Sequence, residues 1–188
     1  MLLKHLLLTL VPVLIFNQLM PTPAISSRVQ SSDWDLIGQA GGPSQGIAVP
    51  GDYAYMGVGS RLVVVDISDP LNPHMIGATA PFDYLVQGVT VSGVFAYVAA
   101  GSAGLRIVNI ATPSNPNEVG AWDSPGFAEN VAVSGSTVYL ADGPYGLRVV
   151  DVSNPTMPAE IAHAFDMNYA VDVTISGRYA YIAADGAG

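Results

Sequence analysis

Three aromatic–acid pairs recur along the chain: Phe82-Asp83, Trp122-Asp123 and Phe165-Asp166. A second aromatic follows each, at Tyr84, Phe127 and Tyr169, and then come Gln87, Glu129 with Asn130, and Asp172. Aromatic rings stack on C–H faces, and carboxylates and amides hydrogen-bond hydroxyl and peptide groups, so the mixture suits a carbohydrate or a peptide. The candidate ligand-binding set is Tyr84, Asp123, Phe127, Glu129, Asn130, Asp166, Tyr169 and Asp172. The same residues also have a structural reading. The aromatics would wedge between packed sheets, and the acids would cap turns by accepting backbone N–H bonds. Recurrence favours structure, because structural devices repeat and specific sites usually do not.

Other reactive groups carry less. Asp66-Ile67-Ser68-Asp69 offers two carboxylates and a hydroxyl, short of the six or more oxygens calcium takes. The matching stretch at Asn109 has lost both acids, so Asp66 and Asp151 read as turn caps. Asp142-Gly143 and Asp185-Gly186 read as hairpin turns. Arg106 and Arg148 share one position in two copies, which predicts an ion pair between neighbouring repeats or a stem packed along a sheet. His74 and His163 fall on an outer strand, and no His, Asp or Glu spacing matches a metal site. There is no Gly-x-Ser-x-Gly elbow, phosphate loop or dinucleotide fingerprint. No catalytic residue, metal or cofactor is therefore assigned.

The elements that would position the candidates come from a repeat. Gly51, Gly93, Gly135 and Gly177 follow one another at steps of 42 residues, three of them in Val/Ile-Ser-Gly. Each copy has a short apolar run before that glycine and an aromatic strand after it, such as Ala96-Tyr97-Val98-Ala99. A β-branched strand follows, then a Pro-bearing turn and a weaker fourth run. Val, Ile and Tyr bounded by Gly, Pro, Asn and Asp read as strands. Four strands per period of about 42, with a third strand apolar on both parities, predict an all-β fold, a β-propeller of four-stranded blades. The blades are expected at about 46–79, 88–122 and 130–165, with the next starting at 172–188, a stray outer strand at 34–39 and a linker at 25–33.

The strands Leu62-Val63-Val64-Val65-Asp66, Leu105-Arg106-Ile107-Val108-Asn109 and Leu147-Arg148-Val149-Val150-Asp151 resemble the LVIVD repeat, as do the turns Ser68-Asp69-Pro70 and Ser153-Asn154-Pro155. The resemblance covers roughly residues 34–188; Asn109 departs from the Asp of the other copies. It implies a bacterial or archaeal cell-surface or secreted propeller, and it brings no catalytic residues.

Residues 1–24 read as a secretory signal peptide: Lys4, the apolar run Leu6–Phe16 broken by Pro12, and a small-residue site at Thr22-Pro23-Ala24. An N-terminal membrane anchor is the alternative. After removal of that segment no stable membrane insertion is expected. The chain has no cysteine, so neither a lipid anchor on cysteine nor a disulfide is available. A net charge of −9 argues against nucleic acid and anionic membrane surfaces. The copies do not come out even, which raises the expectation of a piece of a longer reading frame with an exposed sheet edge. The expected function is a secreted or cell-surface (or periplasmic) non-enzymatic binding or scaffold module for protein or glycan at the cell envelope. The alternative is a propeller-type enzyme, a metal-assisted hydrolase or lyase, with Glu129, Asn130 and Asp172 in an axial channel completed by further blades.

Overall fold

The computed structural model describes residues 44–166 and 168–186. The proposed signal segment, the linker and the 34–39 strand lie outside them. The first sheet contains β1 (Ser44–Ala48), β2 (Tyr53–Val58), β3 (Arg61–Asp66) and β4 (His74–Ala78). The second contains β5 (Gly88–Ser92), β6 (Phe95–Ala99), β7 (Leu105–Asn109) and β8 (Asn117–Trp122). The third contains β9 (Asn130–Ser134), β10 (Thr137–Ala141), β11 (Leu147–Asp151) and β12 (Ala159–Ala164). A hairpin of β13 (Tyr169–Ser176) and β14 (Tyr179–Asp185) follows. Each full sheet is an antiparallel meander with strands in chain order. Among the described residues there is no helix, and the sheets form successive blades that do not close into a ring.

Local chemistry explains the meander. Gly51, Gly93, Gly135 and Gly177 have φ of +67°, +59°, +59° and +60°, the left-handed region a tight hairpin needs. At the far end of each third strand one side-chain oxygen folds the chain back. Asp66 Oδ1 accepts from Ser68 N at 2.9 Å, Asn109 Oδ1 from Ala111 N at 2.9 Å, and Asp151 Oδ1 from Ser153 N at 2.8 Å. An acceptor is required there and a charge is not, which accounts for Asn109. The fourth blade begins at Tyr169, earlier than the expected 172, because β13 runs on through an irregularity between Ala170 and Asp172.

The inner strands β1, β5, β9 and β13 lie side by side. The second and third sheets are each buried on both faces against neighbouring sheets. Leu62, Val64, Val98 and Val108 form the core between blades one and two; Leu105, Ile107, Leu140 and Val150 form that between two and three. A smaller cluster with Ala141, Leu147 and Val173 joins blade three to the β13–β14 hairpin. Burial on both parities is why the third strand reads as continuously apolar. The outer strands β4, β8 and β12 each meet their neighbour through a bulge, at Val64/Val65, Ile107/Val108 and Val149/Val150. Such bulges twist an edge away from further pairing.

Candidate functional site

Linkers 79–87, 123–129 and 165–168 carry the chain from one blade's outer strand to the next blade's inner strand. They gather at the end that also holds hairpins 59–60, 100–104 and 142–146. Isolated bridges from Gly101 to Ala128, in the linker after blade two, and from Gly143 to Ala170, at the start of β13, tie each hairpin to the chain that follows its blade. These bridges place Phe127 and Tyr169 at corresponding points, one residue before Ala128 and Ala170. Tyr84 corresponds instead to Gly126.

The three aromatic–acid pairs are therefore not equivalent, which corrects the sequence reading. Trp122 ends β8 opposite Leu105, Phe165 lies one residue beyond β12, and Phe82 lies well past β4, buried, with its N–H donated to Ser60 O. The linkers differ in length, so similar dipeptides land at different depths.

Six of the eight candidates lie at the inner-strand ends. Tyr84 meets Phe127 edge-on, with centroids 5.3 Å apart and planes at 86°. Gly101, at φ +51°, sits beneath both rings, and a Cβ there would strike them. Tyr169 Oη donates to Glu129 Oε1 at 2.6 Å. Gly46, Gly88, Asn130 and Asp172 occupy corresponding places on the four inner strands, and a Cβ on Gly88 would lie 3.0 Å from Asn130 Cα. Asn130 Oδ1 accepts from Val131 N at 2.5 Å, and Asp172 Oδ1 from Val173 N at 2.8 Å. Both side chains thus brace their own strand entry while standing at the rim. The other two candidates lie elsewhere. Asp123 turns outward to Arg106 Nη2 at 2.6 Å, and Asp166 is exposed in its linker. Among the described residues, no three His, Asp or Glu side chains are placed to hold a metal ion.

The Glu129 hydrogen bond is the main cause that pushes the Tyr169 phenol up to about 12 from its ordinary 10.0. A group whose folded value is raised contributes stability that is complete below its unfolded value. For Tyr169 that contribution is present below pH 10.0 and is lost as pH rises through about 12. Replacing Glu129 by Gln removes the charge; the Tyr169 transition is expected to fall toward 10.0, read by tyrosinate absorbance.

The arginines also correct the sequence reading: both pair within their own blade. Arg106 meets Glu118 at 3.6 Å as well as Asp123, and donates to Ala103 O. Arg148 Nη1 donates to Glu160 Oε1 at 3.0 Å, and Arg148 Nε lies 3.5 Å from Asp142 Oδ2. Asp142 is more than a hairpin residue. It is fully buried and accepts from Ser124 Oγ at 2.5 Å and Gly126 N at 3.0 Å, sewing the third blade's hairpin to the preceding linker. Burial pushes its carboxyl above the usual carboxylate value, against these bonds and Arg148. A signal was present in the repeat. Asp142, Ser124 and Gly126 stand where the previous copy has Ala100, Phe82 and Tyr84, so an apolar knot is exchanged as a set for a polar one.

A family model described as LVIVD repeat matches residues 41–80, 85–124, 125–164 and 168–188. No curated protein matches the chain. The chain is similar to the crystal structure of the computationally designed Ika4 protein, with TM-score 0.63 and 13% identity over 77% of this chain and 86% of that one. It is also similar to the computationally designed Ika8 protein, with TM-score 0.61 and 12% identity over 75% of this chain and 42% of that one, under half of that length. At these identities the likeness concerns the fold alone.

Proposed function

The chain belongs to the LVIVD repeat family, and from that premise we propose that it is a secreted or cell-surface binding and scaffold module, without catalytic activity, for protein or glycan partners of the cell envelope. The observation that carries the binding reading is the rim itself: Tyr84 against Phe127, and Tyr169 bonded to Glu129, link successive blades while Tyr84 stays 39% exposed. A rigid stack of blades holds these linkers in fixed relation, so groups from several copies can act on one ligand. Secretion rests on the Lys4 and Leu6–Phe16 pattern with the small residues before Ile25.

The test is retention of envelope proteins and glycans by the full chain, compared with Tyr84→Ala and Asp172→Ala. A loss of at least about tenfold, which is about 1.4 kcal/mol, with unchanged melting supports the rim. Retention equal to wild type in both variants overturns it. Stoichiometric metal surviving exhaustive dialysis would turn the reading toward the enzyme alternative. Periplasmic or medium fractions lacking a chain cleaved near Ala24 would remove the secretion reading.

A further inference from the structure

At the outer corner of blade three several breaks in the repeat converge. Aligned on the paired strands, blade three differs from blade two at the outer corner: Ala103 becomes Tyr145, Ala121 becomes His163 and Asp123 becomes Phe165. All three surround Arg148. Its Cζ lies 4.7 Å from the Phe165 ring centroid and 5.6 Å from that of Tyr145. His163 packs on Phe165 with centroids 4.2 Å apart. Glu160 Oε1 accepts from Arg148 Nη1 at 3.0 Å and meets His163 Nδ1 at 2.9 Å. Arg148 is 4% exposed, yet among the described residues its Nε has no hydrogen-bond partner. An open depression of about 320 Å³ lies here, lined by Arg148, Glu160, Ile161, Ala162 and His163. Arg148 shares its strand face with Val150, which packs toward the second blade, and His163 pairs directly with Arg148. Arg148, His163 and the two rings therefore do not belong to the face on which β13 packs, whereas Ala162 of the lining, opposite Val149, does.

We propose that this corner binds a neutral saccharide unit. Phe165 and Tyr145 are 53% and 44% exposed and offer ring surface for the C–H face of a sugar. The guanidinium and the Glu160 carboxylate offer fixed donors and acceptors for hydroxyls. Glu160 holds His163 Nδ1, which leaves Nε2 to meet a hydroxyl. Charge selects the class. Asp142 and Glu160 already offset Arg148, and the chain carries −9, so no surplus positive charge holds an anion. A cation is disfavoured because the Arg148 guanidinium already fills the space between the aromatic rings.

The test is saturation-transfer NMR on the full chain with three neutral probes, cellotriose, maltotriose and tri-N-acetylchitotriose, beside a sulfated trisaccharide. At least one neutral probe is expected to bind saturably, and Phe165→Ala and Glu160→Gln are each expected to weaken it at least about tenfold. Tyr84→Ala, at the rim, is expected to leave it unchanged, which separates this site from the rim reading. Phe165 is exposed, so an unchanged melting curve is the control for folding. Binding of none of the neutral probes, binding of the sulfated probe alone, or loss with Tyr84→Ala but not with Phe165→Ala overturns the proposal.

Discussion

Asp142→Ala is expected to destabilise the protein by about 3–5 kcal/mol, read as a lower urea midpoint with an unchanged slope. The carboxylate is fully buried beside a guanidinium that is 4% exposed. Removing Asp142 leaves the poorly solvated guanidinium with Glu160 as its one carboxylate partner among the described residues. Two further donors, Ser124 Oγ and Gly126 N, lose their acceptor in the same step. Alanine at this position is not wrong in itself, since the second blade has Ala100 there, also fully buried. What differs is the company: Phe82 packs in that core where the third blade's linker has Ser124. Removing both charges, as Asp142→Ala with Arg148→Met, is therefore expected to recover only part of the loss, because the buried guanidinium is gone but Ser124 Oγ and Gly126 N still lack an acceptor. A loss below about 1 kcal/mol for Asp142→Ala alone would mean that water reaches the pair and that the buried latch is misdescribed.

The frame of the molecule could be read from the chain because its devices are local. A glycine at φ near +60° can be inferred wherever Ser-Gly separates two β-branched runs, and Gly93, Gly135 and Gly177 all comply. The Asp-to-Asn exchange at Asn109 was a clue to a cap, and its Oδ1 makes the same bond as Asp66 and Asp151. The third-strand pattern revealed burial on both faces, and blades two and three each have a neighbour on either side. The candidate site was less legible. Whether Phe165 is the counterpart of Trp122 depends on linker length and on the Gly143–Ala170 bridge, which are long-range facts. Asp142 read as a turn residue because its partners Ser124 and Gly126 lie 18 and 16 residues away, in the linker that leads into its blade. His163 seemed remote from chemistry because the sequence does not show that it sits across the ladder from Arg148. Local propensity finds strands and turns; side-chain partnerships need the register.

Gly120→Ala should separate a packing requirement from a propensity preference. Gly120 lies in β8 opposite Ile107, on the face toward blade three. A Cβ there would collide with the carbonyl oxygen of Pro155 and come within 3.0 Å of its carbon and 3.2 Å of Thr156 Cα. All three atoms belong to the Pro-bearing turn between β11 and β12, and backbone atoms cannot swing aside as a side chain can. Gly77 repeats the arrangement one blade earlier, with Pro113 and Pro116 over it. Neither glycine has a positive φ, so alanine meets no backbone strain, and its lower unfolded-state entropy alone would stabilise by about 0.4–1 kcal/mol. Overpacking costs about 1–3 kcal/mol, so the collision outweighs the entropy and the variant is expected to be less stable, with faster amide exchange in residues 153–158. The third copy supplies the control. Ala162 stands at the corresponding place opposite Val149, and it lines an open depression. Ala162→Gly is accordingly expected to lose only the entropy share, about 0.4–1 kcal/mol, and Gly120→Ala to lose more. Equal effects at the two positions would show that the proline turn does not seat on Gly120, and the close contact between blades two and three would have to be redrawn.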